Sequence, residues 1–405
     1  MMDKLKLGVI GLGQRGYSVA NSELTKLSDV IEVTAVCDVY QDRVERAQNM
    51  FKEKCGYTPM GTTDYVELLD SGVEAVYIAC SWEDHIVVAC AAMERGVYVG
   101  LEVGGAYSIK DCWRLVDTYE RTHVPVFLLE NCCYGKVELM TKVMAEKGFF
   151  GDVVHCEGSY SHDLRSEIAE GEEIRHYRLR NYINRNCDNY PTHALVPIGK
   201  ILKINDGNRI VSLTSTASCS KGLHEYIVKR WGPDHKLADV EFNQGDVVTT
   251  VIKCAGGETI TLRLDTTLPR AYSRNFTVHG TKAAYFEDTN MVYEDGKHNK
   301  DEWDPKPLWD NATEYEAEYL HPLWQGYDAS GGHGGLDYLT FSAFAEYAKA
   351  GKEPPIDVYD AAVYMAVTAL SEESIAKGSA PVAMPDFTTG RWYRRDKKDD
   401  GKYSL

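Results

Sequence analysis

Apolar and polar positions alternate in two different rhythms along this chain, and the change of rhythm divides it. In the first 130 residues, short apolar runs ("LKLGVIGL", "IEVTAVCD", "VEAVYIAC", "GVYVGLE" and "VPVFLLE") are separated by stretches such as "DRVERAQNMFKEKC" and "EDHIVVACAAMERG". The apolar residues of those stretches recur at close to 3.6. Strands that are apolar throughout, alternating with amphipathic helices, predict a parallel, doubly wound sheet covered on both faces. Beyond about residue 150 the texture changes. "GDVVHCEGSYSH", "RIVSLTSTASCS", "DVVTTVIKCAGGETITLRLDTT" and "NFTVHGTKAAYFED" are β-rich, and "CAGGET" reads as a hairpin turn. The fold class predicted is α/β: an N-terminal domain at 1–130, then an α+β domain with an open, mostly antiparallel sheet at 131–390. Helices close the chain around 336–350 and 357–377, and a charged, loose tail is expected at 391–405.

The first strand runs directly into "GVIGLGQRG", which places Gly11, Gly13 and Gly16, with Gln14 and Arg15, where a strand gives way to a helix. Glycines there let backbone approach a diphosphate, and the helix start offers free N–H donors. An acidic residue, Asp38, closes the second strand 22 positions after Gly16. It can accept both ribose hydroxyls of NAD and would repel the extra phosphate of NADP. Residues 1–130 are thus expected to be a Rossmann NAD-binding domain. Two further strands end in "YIACSWEDH" and "VGLEVGG". Carboxyl ends of parallel strands are where such sheets bind ligands, so Ser81, Trp82, Glu83, Asp84, His85, Glu102 and Val103 are cofactor or substrate candidates. Trp82 and His85 fit plain packing equally well.

Composition narrows the partners. The formal net charge is −17, from 44 Lys+Arg against 61 Asp+Glu, and a surface so acidic repels phosphate backbones. A small neutral or weakly charged ligand fits, and nucleic acid does not. No apolar run reaches the 18 or so residues of a membrane span, and the N-terminus enters a strand at once, so the chain reads as cytoplasmic unless an export signal was trimmed. The 11 cysteines are scattered without a CxxC pair, which suits reduced thiols. His155, His162, His176 and His193 fall within 39 residues, but no ligand spacing joins them, and no metal is expected.

"CDNYPTHALVP", residues 187–197, sets Tyr190 and His193 around a proline where a helix can start. If "PTH" opens that helix with Pro191 at its first position, Tyr190 and His193 share one face. A histidine in the first turn feels the positive end of the helix dipole, which favours neutral imidazole as a proton acceptor. Pro197 offers a competing helix start. A loop histidine capping local backbone is the plainer alternative.

With these residues in place, the chain resembles the Gfo/Idh/MocA family of NAD(P)-dependent sugar oxidoreductases: GxGxxG, "CD" at 37–38, a strand ending before His85, and a β-rich second domain. Members usually carry Glu-Lys-Pro after the fifth strand, where the lysine moves the substrate hydroxyl proton. Here the stretch is Glu102, Val103, Gly104, and the lysine is absent. "ENCCY", "HCEGSYSHDLR", "YRLRNYINRNCDNYPTHALVPIGKIL", "LPRAYS", "GGHGGLDY" and "DVYDAA" resemble, more narrowly, glycoside hydrolase family 109. These are NAD-dependent N-acetylhexosaminidases, best known for α-N-acetylgalactosaminidase activity. The pattern departs at Ala194 and Val196, where the family has glycines.

The resemblance implies a redox route to hydrolysis, and with it an explanation for the lack of the usual pair of glycosidase carboxylates. NAD takes hydride from sugar C3, the C2 proton becomes acidic, and the C1 substituent leaves by elimination. Water then adds and the hydride returns. Such an enzyme is expected to hold NAD tightly and to accept both anomers. The family implies Tyr134 as the base for the C2 proton, although beside Cys132 and Cys133 it fits packing as well. Asn131 is implied at the nicotinamide, and Tyr160, Arg178, Tyr190, Tyr272 and the "YPTH" run through Pro191, Thr192 and His193 at the sugar. His193 and Tyr190 would stand in for the missing lysine. "GGHGG" around His333 reads as a hinge or a flexible turn. A homo-oligomer through the second-domain sheet is expected. The rival readings are a sugar dehydrogenase or dehydratase, which would turn over with free NAD, and a non-catalytic NAD- or sugar-binding sensor.

Overall fold

A computed structural model describes residues 4–297, 309–329, 331–395 and 401–405. Its chain forms two compact units: Met1–Tyr134 with Gly326–Ala362 and Lys398–Leu405, and Gly135–Gln325 with Val363–Lys397. The linear boundary expected at residue 130 is therefore an exchange of segments. Helix Leu336–Ala350, expected in the second domain, belongs to the first unit.

The first unit carries six strands, β1 (Leu5–Ile10), β2 (Ile31–Cys37), β3 (Met60–Thr62), β4 (Ala75–Ile78), β5 (Tyr98–Leu101) and β6 (Val126–Leu128). They lie in the order β3-β2-β1-β4-β5-β6, and every pairing is parallel. The order reverses direction between β1 and β4, the place where such sheets open a crevice for a dinucleotide. Leu7, Val9, Ala75, Val76, Ile78, Val99 and Leu101 are fully buried, which is why these strands read as continuous apolar runs. β3 is three residues long with two of them exposed, too short to leave a pattern.

The second unit carries β7 (Val153–Ser161), β8 (Ile210–Ala217), β9 (Val247–Cys254), β10 (Thr259–Asp265), β11 (Thr277–Gly280), β12 (Ala283–Phe286), β13 (Met291–Glu294), β14 (Asp310–Asn311) and β15 (Val382–Ala383). They form one sheet, β14-β13-β12-β11-β7-β10-β9-β8-β15, antiparallel except for the β7–β10 pair. The expected hairpin joins β9 to β10, with Gly257 in the left-handed region at φ 107. In β9, exposed Thr249, Val251 and Lys253 alternate with buried Val248, Thr250 and Ile252, so one face is open and the other is core.

On the core face, helix Thr192–Ile201 lies hard against β7. A Cβ placed on Gly158 would come 2.6 Å from Cβ of Ala194, so the strand admits the helix only because Gly158 has no side chain. On the helix's other flank, a Cβ on Gly199 would strike the Tyr364 hydroxyl at 2.0 Å. This clamp fixes the helix and, with it, the "YPTH" run at its start.

Candidate functional site

In the first unit the glycine-rich turn takes the shape its sequence predicts. Gly11 has φ 94, and a Cβ there would lie 2.5 Å from the backbone of Ala79. A Cβ on Gly16 would meet the carbonyl of Gly11 at 1.9 Å. At Gly13 a Cβ would meet only Arg43, at 3.5 Å, so this turn keeps an open backbone face above the start of helix Gln14–Val19. Asp38 is buried and accepts from the amides of Leu12 at 2.7 Å and Tyr40 at 3.0 Å. Arg43 stands 3.6 Å from the same carboxylate and offsets part of its charge.

Arg15 does not wait for a ligand. Its Nε donates to Glu102 Oε1 at 2.6 Å, and its two terminal nitrogens donate to Asp337 at 2.7 and 2.9 Å. Burial alone would favour the neutral guanidine, but Glu102 and Asp337 hold it charged well beyond its ordinary range. Asp337 is likewise buried, which opposes ionisation. Hydrogen bonds from His333 and Arg15 nevertheless keep it well below the usual carboxylate range. Glu102 also accepts from Tyr77 Oη at 3.0 Å and from the amide of Val103 at 2.8 Å. Asn131 donates to Asp337 at 2.8 Å. Tyr77, Glu102, Asn131 and Asp337, all buried, thus form one charge-paired network with the half-buried Arg15. Tyr77 and Asp337 left no signal in the sequence.

Val103, buried in place of the family lysine, carries no proton to move. Its neighbour Gly104 is required by shape, because a Cβ there would lie 2.4 Å from the indole of Trp82. Trp82 is buried against this glycine. His85 is buried at the start of helix His85–Met93, and its Nε2 donates to the Cys80 carbonyl at 2.9 Å. Burial lowers its pKa, so the ring is neutral and Nδ1 is a buried lone pair without a partner. Asn131 Oδ1 is a second such acceptor. Two orphaned acceptors and an open glycine turn fit a ligand that brings its own N–H donors and a diphosphate, as NAD does. Ser81 donates to Asp84 at 2.5 Å.

Tyr134, the base implied for C2, lies in the first unit. It is fully buried in the short helix Asn131–Tyr134, and its hydroxyl donates to the carbonyl of Tyr403 at 3.1 Å. A phenolate there would face the carbonyl's lone pairs. Tyr403 is itself buried, so this end of the expected loose tail is packed, while residues 396–400 lie outside those described.

In the second unit, helix Thr192–Ile201 begins one residue after Pro191, which caps it, and runs on through Pro197. Pro197 has no N–H to offer the His193 carbonyl, yet it neither starts nor ends the helix. His193 therefore lies in the first turn. Around it the structure gathers rings. Tyr190 meets His193 edge-on at 4.9 Å, Tyr160 lies 4.4 Å from Tyr190 and 5.6 Å from His193, and Tyr272 lies 6.4 Å from Tyr160. Arg178, buried, sets its guanidinium 5.1 Å from the Tyr190 ring centre and pairs with Glu167 at 2.8 Å. Tyr160 and His162 share a hydrogen bond at 3.2 Å, and burial together with Arg178 lowers the His162 pKa. Thr192 Oγ1 is buried without a partner. Every sugar-side residue expected from sequence thus falls in or beside one cluster, which Tyr272 borders with half its surface exposed.

The sequence reading missed Asp188. Its carboxyl is buried, accepts from the Tyr190 amide, and has Thr250 Oγ1 3.4 Å away. Burial pushes its pKa up to about 7. Of the other histidines, His155 bonds Thr259 at 2.8 Å, and His176 stacks on Tyr177.

Two family models match the chain, one after the other. Residues 5–129 match the oxidoreductase family with an NAD-binding Rossmann fold, and residues 134–394 match the C-terminal domain of glycosyl hydrolase 109. An α-N-acetylgalactosaminidase from Tannerella forsythia is 37% identical over 96% of this chain and 88% of its own. A glycosyl hydrolase family 109 protein from Stenotrophomonas maltophilia is also 37% identical, over 99% and 93%. Among solved structures, levoglucosan dehydrogenase bound to NADH superposes with a TM-score of 0.73 at 16% identity, covering 95% of this chain and all of that one. An inositol dehydrogenase homologue from Azotobacter vinelandii bound to NAD⁺ gives 0.68 at 16%, over 95% and 98%. These two share the fold.

Proposed function

The chain belongs to glycosyl hydrolase family 109, glycosidases built on an NAD-binding Rossmann domain, and from that premise we propose that it releases terminal N-acetylhexosamine, N-acetylgalactosamine by preference, while keeping one NAD resident. The observation that carries this reading is the ring cluster of Tyr160, Tyr190, His193 and Tyr272 at a clamped helix start, with Arg178 beneath it. Aromatic faces bind the C–H patches of a sugar and their hydroxyls bind its oxygens. NAD, when bound, supplies a reversible hydride acceptor for sugar C3. His193 takes the proton from the C3 hydroxyl, with Tyr190 holding the ring edge-on, and together they do the work of the lysine that Val103 replaces. Once it has passed that proton to solvent, His193 serves in turn as the base for C2, while the Tyr134 hydroxyl donates to the Tyr403 carbonyl. Gly11, Gly13 and Gly16 would hold the diphosphate, Asp38 the adenosine ribose, and Asn131 and His85 the nicotinamide end.

The open face of the second sheet, with Val251 43% exposed on β9, supports self-association, read as a dimer or larger by light scattering. No described helix is long and apolar enough to cross a membrane. The test of function is hydrolysis of aryl α- and β-N-acetylgalactosaminides with no cofactor added. Release by the purified protein, lost on stripping the nucleotide and restored by NAD, is expected. Release that ignores stripping would sink the reading.

A further inference from the structure

The "GGHGG" segment is no loose turn. Gly331, Gly334 and Gly335 have positive φ, and His333 joins them at φ 50 without a glycine's freedom. The segment is nonetheless fastened at three points within the first unit. The Gly332 amide faces Glu23 Oε1 at 3.3 Å, the Gly335 carbonyl accepts from Tyr327 Oη at 2.8 Å, and Asp337 takes both terminal nitrogens of Arg15. Arg15 and Glu23 stand at opposite ends of one helical run, Gln14–Leu24, whose start is the glycine-rich turn. The segment is therefore strapped along the helix that would receive a diphosphate.

His333 sits between these anchors. Its Nδ1 is committed to Asp337 at 2.7 Å, with Arg15 Nη1 3.5 Å away, while the side chain is 59% exposed and Nε2 has no hydrogen bond among the described residues. An imidazole fixed through Nδ1 by a buried carboxylate presents a defined Nε2 to whatever lies above it. Asp337 also holds Asn131, the nicotinamide-side candidate. We propose that His333 is a clasp for the bound dinucleotide: Nε2 hydrogen-bonds one of its diphosphate or ribose oxygens. The strained strap holds His333 there and slows release of the cofactor. This rests on the reading that NAD is resident, and explains residence by a residue of this chain.

The test compares wild-type protein with His333→Asn and His333→Gly, both of which tolerate the left-handed backbone. Three quantities are read: NAD per chain after purification, the rate at which labelled NAD leaves, and Kd by fluorescence titration of stripped protein. Each variant is expected to lose most of its NAD and to show a tenfold or greater rise in off-rate and Kd, with the melting temperature of the stripped protein unchanged. A loss shared by ADP places the contact at the diphosphate. A loss shared by ADP-ribose and not by ADP places it at the distal ribose. Off-rate and Kd within twofold of wild type would overturn the clasp. If wild-type protein is itself purified empty, the residence reading fails, and the Kd comparison still decides the role of His333.

Discussion

The two units solve recognition by opposite means. Around Arg15 nearly every polar atom is matched to a charged partner inside the protein, in a network that two carboxylates keep ionised despite burial. Around His193 the residues meet mainly through ring faces and edges, at centroid separations of 4.4 to 5.6 Å. The first arrangement is stiff, since breaking one charged partner strands another. The second is held chiefly by ring contacts, with Arg178 paired to Glu167 beside it. The proposed function, a resident cofactor and a departing sugar, matches these two kinds of site.

The comparison predicts graded losses. His193→Ala should reduce kcat by roughly 10²–10⁴, the range for a lost general base, while NAD content stays at the wild-type level. Loss of NAD together with activity would show that the two sites are not separable. Asp337→Ala should act in the opposite sense. It leaves the half-buried Arg15 beside one carboxylate instead of two and should cost about 1–3 kcal/mol of stability, measured by denaturant unfolding with NAD removed. A cost under about 1 kcal/mol would mean that the network is solvent-screened.

Asp188 sets up a pH test. Its folded pKa of about 7 lies above the unfolded value near 3.8, so folding takes up a proton between the two. Its contribution is fully present below the unfolded pKa and is lost as pH rises to 7. The charged carboxylate then costs on the order of 4 kcal/mol. Asp188→Asn should match wild type near pH 4 and exceed its stability at pH 8. An advantage that does not grow with pH would contradict the buried-carboxyl reading. The smallest effect is expected from Tyr134→Phe, which removes one hydrogen bond worth about 1 kcal/mol and should leave turnover nearly intact. A drop of a hundredfold or more would return Tyr134 to the proton relay.

What could be read in the sequence follows the distance over which each feature is determined. Gly11, Gly13, Gly16 and Asp38 sit on adjacent elements, and local pattern suffices to place them. The "YPTH" run was legible because a proline and a helix start are local too. Asp337 lies 322 positions from the arginine it holds, and an aspartate opening a helix looks like any other first-turn acid. The burial of Tyr134 depends on Tyr403, 269 positions away, in a segment whose charge suggested a loose end. Strands β13 to β15 are four residues or fewer and take their pairing from neighbours instead of from their own periodicity.

The central claim is that this glycosidase breaks its bond by elimination through C2, with the redox cofactor resident. Mass analysis of the sugar freed from aryl N-acetylgalactosaminides in D₂O, with no NAD supplied, tests it directly. One carbon-bound deuterium in the freed sugar is the predicted result. Sugar freed without it would mean direct displacement at C1, and would contradict both His193 as the base and NAD as the hydride acceptor.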